Sequence, residues 1–107
     1  MTIEEAKNKL REYFEEACKV LGVNCQKISF VYERIGERFR TVNNTCEVDE
    51  DCLYINEDWI AGTLRINFLY DLQYQMYHEA RHFRNRHRTP PRLCLGRQLG
   101  QKDFGRL

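Results

Sequence analysis

The chemistry of this chain is concentrated in His78-Glu79-Ala80-Arg81-His82. On a helix, positions i and i+4 stand about 40° apart around the axis, so both imidazoles project to one side and can share a tetrahedral Zn2+. Glu79 lies one residue on, where its carboxylate can reach a metal-bound water rather than the metal. There it accepts the water's proton while a carbonyl is attacked. The pattern predicts zinc ligands at His78 and His82 and a general base at Glu79.

A catalytic zinc needs a third protein ligand and an open position for water. His87 is one candidate, but a continuing helix would turn it about 180° from His78, and residues 83–86 hold no glycine to bend the chain back. Asp103 is the better candidate. It follows His82 with twenty residues between, beyond the helix-breaking Pro90-Pro91, and it is the only acidic residue after Glu79. Gln101 is the neighbouring position to watch.

These residues need elements to hold them. Thr2 and Glu5 form a capping box, Ala6, Leu10, Phe14, Ala17 and Leu21 make a stripe at helical spacing, and Gly22 suits a left-handed C-cap. A first helix over about 3–21 follows. Lys27 to Tyr32 is dense in β-branched and aromatic residues, Arg34 to Glu37 reads as a turn, and Arg38 to Val42 alternates at period two. Asn43 to Thr45 breaks the pattern, Asp49 to Asp51 reads as an acidic loop, and Cys52 to Asn56 is a further strand. The reading is a small antiparallel sheet of about three strands, with a fourth an open option.

From Thr63 to about Arg88 the pattern is helical. Leu69, Leu72, Met76, Ala80 and Phe83 form one stripe and Tyr70, Tyr74 and Tyr77 an aromatic flank, which predicts a buried central helix carrying the histidines opposite the stripe. A short return helix is expected within residues 92–107.

Composition bounds the rest. At 107 residues with 42% apolar side chains and a net charge of +1, the chain reads as one domain over residues 1–107 rather than a disordered segment. No apolar run is long enough to span a membrane, and the acidic, polar start is unlike a secretory signal, so a cytoplasmic protein with free thiols is expected. Charge is polarised: residues 1–75 carry 9 basic and 14 acidic side chains, and residues 76–107 carry 8 and 2. The basic third, with Arg81, Arg84, Arg88 and Arg92, offers a possible phosphate-contacting face, although no nucleic-acid signature accompanies it.

With these features the chain resembles the minimal zincin metallopeptidases, small gluzincin-like domains akin to the ImmA/IrrE group of bacteria, phages and mobile elements. The likeness covers most of residues 25–105: a hydrophobic strand closing at Ile55-Asn56, then Tyr77-His78-Glu79-Ala80-Arg81-His82-Phe83 about twenty residues later. Downstream the family often shows Glu-x-Asp-Ala on a return helix, where this chain has Gln101-Lys102-Asp103-Phe104. The resemblance implies an α+β, zincin-like fold, a Zn2+ cofactor on His78 and His82, a catalytic Glu79, and cleavage of one specific protein, such as a regulator that switches a response. Because Gln101 replaces the usual Glu, either Asp103 substitutes or the domain is a zincin-shaped binding or inhibitory module. In such folds the strand before the active helix is a sheet edge beside the cleft, making Tyr54, Ile55 and Asn56 the expected substrate-binding residues by β-augmentation. Tyr74, Tyr77, His87 and Arg81 are candidates for stabilising the oxyanion.

Overall fold

Thr2 and Glu5 close the predicted capping box around α1, Ile3–Leu21, and Gly22 ends the helix at a φ of 76° with its N–H returned to the Cys18 carbonyl. The structure, a computed structural model, describes residues 1–88. After α1 come a 3-10 turn at Cys25–Lys27, then β1 Ser29–Glu33, β2 Cys46–Asp49, β3 Cys52–Asn56, α2 Glu57–Arg65 and α3 Tyr70–Arg88. The architecture is α+β, with three helices and a small three-stranded sheet among the described residues. The expected return helix, the Pro90-Pro91 break, Gln101 and Asp103 lie outside them.

The sheet is mixed rather than antiparallel. Its order is β1-β3-β2, with β1 parallel to β3 and β2 antiparallel to it. Arg38 to Val42, expected as a strand, instead forms turns joined by an isolated Ile35–Phe39 bridge. The strand lies later, at Cys46–Asp49, followed by a tight turn in which Glu50 takes a left-handed φ of 54°. Parallel pairing of β1 with β3 follows from this, because the connection carries the chain back across the sheet before β3 begins.

One apolar layer joins sheet and helices. Ala6, Leu10, Phe14, Ala17 and Cys18 of α1 meet Leu72, Met76, Ala80 and Phe83 of α3 over Leu53 and Ile55 of β3. Phe14 packs edge-on against Phe30 at 5.2 Å and Phe83 at 5.9 Å between ring centres. On the sheet, the Arg38 guanidinium covers the Tyr54 ring at 3.6 Å and pairs with Glu47 at 3.0 Å.

The predicted helix from Thr63 is two helices. Asn56 caps α2 through its side-chain oxygen, which accepts from the Asp58 N–H at 2.9 Å, and Glu57 and Asp58 supply the acidic first turn. Asn67, at a φ of 56°, turns the chain out of α2, and α3 starts afresh at Tyr70. The Trp59 indole donates to Asp71 Oδ2 at 3.2 Å, tying the two helices together. The α3 stripe from Leu72 to Phe83 is buried as expected, but Tyr70 and Tyr74 are exposed. Helix α3 therefore lies on the sheet with one wet side, not wrapped on all sides.

Candidate metal centre

Helix α3 runs beside β2, and between them lies an open cleft of about 470 Å3. Thr45 and the first three residues of β2 form one wall; Gln75, His78, Glu79, His82, Asn85 and Arg86 form the other. His78 and His82 thus face the cleft from successive turns, as their spacing demands. Their Nε2 atoms stand 3.0 Å apart with rings nearly perpendicular.

That separation is a test of fit. Two nitrogens on one tetrahedral zinc, each about 2.0–2.1 Å from it, lie about 3.4 Å apart. The pair is already convergent to within a few tenths of an ångström, a change that small side-chain rotations supply. Imidazole nitrogen is also a ligand type that Zn2+ accepts. No third His, Cys, Asp or Glu joins them into a ligand group among the described residues. The expected third donor, Asp103, lies outside those residues, as does the side chain of the alternative, His87.

Glu79 lies between the cleft and the core, only 4% exposed. Burial raises its carboxyl above the ordinary carboxylate value; a hydrogen bond from Gln75 and the nearby His78 and His82 oppose the rise. Gln75 Nε2 donates to Glu79 Oε2 at 2.6 Å. A carboxylate that is poorly hydrated, oriented by one donor and adjacent to two convergent imidazoles can exchange a proton in the cleft. The Cys46 thiol, on the facing strand, is held well above its usual value by burial and then by the Glu79 charge. Cys18, Cys25, Cys46 and Cys52 are all free thiols.

Strand β3 does not fill its predicted role. Tyr54 and Ile55 pair with β1 on one side and β2 on the other, so their backbone has no free edge to offer a substrate. Ile55 belongs to the core. Asn56 is fully buried, and its side chain is engaged at the α2 cap and in donating to the Thr41 and Asn44 carbonyls. The sheet edge facing the cleft belongs to β2. Its sequence signal was the alternation in Cys46-Glu47-Val48-Asp49, with Cys46 and Val48 packed on the core and Glu47 and Asp49 turned to water. Gln75 was also missed. Its signal was a polar residue one turn before Glu79 on the same helical face.

Tyr74, Tyr77 and Arg81 are not among the residues lining the cleft, whereas Asn85 and Arg86 are. On the predicted phosphate-contacting face, Arg81 is exposed and Arg84 half-buried, and Arg92 lies outside the described residues. No helix among the described residues is long and apolar enough to cross a membrane.

No protein-family model matches the chain, and no characterised protein or solved structure shows significant similarity to it.

Proposed function

We propose that this chain is a zinc-dependent peptidase that cleaves an intracellular protein. The observation that carries this reading is the convergence of His78 Nε2 and His82 Nε2 at 3.0 Å beside the buried Glu79, in a cleft flanked by a strand edge. His78 and His82 would hold the ion, with Asp103 as the third ligand. When bound, the ion supplies a fixed positive charge that acidifies water and polarises a peptide carbonyl. Glu79 takes the proton from the attacking water and returns it to the departing amine. Gln75 holds the Glu79 carboxylate in place for both transfers. The β2 edge binds the peptide in extended form, its backbone groups supplying the hydrogen bonds that β3 has already used.

The test is the metal content of the purified full chain, measured by plasma mass spectrometry for the wild type, His78→Ala and Asp103→Ala, with peptide hydrolysis followed in parallel. About one zinc per chain is expected in the wild type, lost in both variants, with hydrolysis abolished in Glu79→Gln at unchanged zinc content. Zinc retained in Asp103→Ala moves the third ligand elsewhere. A folded wild type that takes up no added zinc overturns the reading.

A further inference from the structure

A second groove, of about 330 Å3, opens beside the metal cleft where α2 meets α3. Thr45 lines both, so they are two parts of one surface. Val42, Ile66 and Phe68 rim the groove and are 50, 71 and 52% exposed, while Trp59 lies beneath them almost entirely buried. The Trp59 indole N–H is already committed to Asp71, so the ring has only apolar surface left to present.

Gly62 forms part of the groove wall. It sits in the interior of α2, where glycine is less favourable than alanine. Nothing in the packing requires it: a Cβ there would meet no atom within 4 Å, and its φ is not in the left-handed region. What the missing side chain does is leave the groove open.

We propose that this groove is a specificity pocket for one large apolar side chain, such as Phe, Leu, Met or Trp, of an extended peptide lying in the metal cleft. The inference rests on the peptidase reading for its register. Asp71, Gln75 and His78 step along α3 from the groove to the metal ligands, and seven helical residues cover about 10 Å. An extended peptide advances about 3.3 Å per residue. The side chain that enters the groove therefore belongs to a residue about three positions from the bond that is cut.

Trp59 is the chain's single tryptophan and reports on the groove directly. The probe is a neutral Gly-Ser decapeptide amide carrying one Phe, titrated into the zinc-loaded full chain bearing Glu79→Gln, which leaves the peptide uncut. A saturable change in Trp59 emission is expected, absent when Phe is replaced by Ser. At least tenfold weaker binding is expected when Gly62→Leu is added, with no fall in melting temperature. Equal responses to the Phe and Ser peptides, or unweakened binding with Gly62→Leu, overturn the proposal. Digestion of a random peptide library by the wild type separates the two readings. A saturable Phe response on a chain that cuts nothing keeps the groove and removes the peptidase. Cleavage without apolar preference about three positions from the cut removes the groove and keeps the peptidase.

Discussion

Gln75 Nε2 and Glu79 Oε2, one turn apart on α3, are joined by a 2.6 Å hydrogen bond that gives a buried carboxylate its partner. Burial raises the folded-state value of Glu79 above 4.5, so its contribution to stability is present below that pH and is lost as pH rises through the raised value. Gln75→Ala removes a bond that favours the ionised form and raises the value further. The expected loss is about 1–3 kcal/mol at pH 7.5, shrinking toward pH 4 where Glu79 is protonated in both states. Urea unfolding at the two pH values measures it. A pH-independent loss would mean the bond is not the cause.

Stability and chemistry pull apart at Glu79. Glu79→Gln replaces a desolvated charge with a neutral group of the same shape, so its stability at neutral pH should equal or exceed that of the wild type while hydrolysis disappears. Thermal unfolding and a peptidase assay on one preparation read both. A less stable, still active variant contradicts the assignment.

Asn56 closes α2 and pins the 41–44 turns with three side-chain hydrogen bonds. Asn56→Ala removes a cap and strips the Thr41 and Asn44 carbonyls of a buried donor, a cost of about 2–4 kcal/mol. Asn56→Asp keeps the acceptor for the Asp58 N–H but sets a buried carboxylate oxygen against the Thr41 and Asn44 carbonyls, so at neutral pH its denaturant midpoint should fall at or below that of the alanine variant.

Alkaline pH should destabilise the protein in a defined window. Burial lifts the Cys18 thiol from 9.0 to about 12 and the Tyr32 hydroxyl from 10.0 to about 12. Both folded values are raised, so the stability is intact below about 9 and is lost as pH climbs toward 12. Melting temperature, followed under reducing conditions from pH 8 to 11, should fall above 9, and the slope should be shallower in Cys18→Ala. An unchanged slope would place the titration elsewhere.

Zinc should stabilise the folded state by mass action, by about 2.7 kcal/mol at a hundredfold excess over the dissociation constant. The rise in melting temperature should disappear with chelator and in His82→Ala. His82 is exposed, so that substitution itself should change apo-protein stability little.

The local features were legible wherever a residue's own chemistry decided them. The Thr2–Glu5 box, the Gly22 terminus, the α3 stripe and the same-sided placement of His78 and His82 follow from spacing alone. Asn56-Glu57-Asp58 carried the start of α2 in plain cap chemistry, but the apolar run before it made Asn56 read as the end of a substrate-binding strand rather than as a cap. Asp49, read with Glu50 and Asp51 as an acidic loop, is the last residue of β2, and the Cys46 to Val48 alternation before it is too short to stand out as a strand. Which strand would be central was not legible, since it depends on pairing across sequence rather than on the composition of Tyr54 and Ile55. That one fact moved the expected peptide-binding edge from β3 to β2.

The packing of α1 on α3 also bears on how the chain is made. In chain order α1 precedes the sheet, and Phe14 on its apolar face meets Phe30 of β1 early, but its other aromatic partner, Phe83, follows only after the entire sheet and α2. At ribosomal speeds that interval is on the order of several seconds, far longer than a helix needs to form. The part of the nascent amphipathic helix that α3 covers must therefore wait exposed, and it is the segment that a ribosome-associated chaperone would be expected to grip.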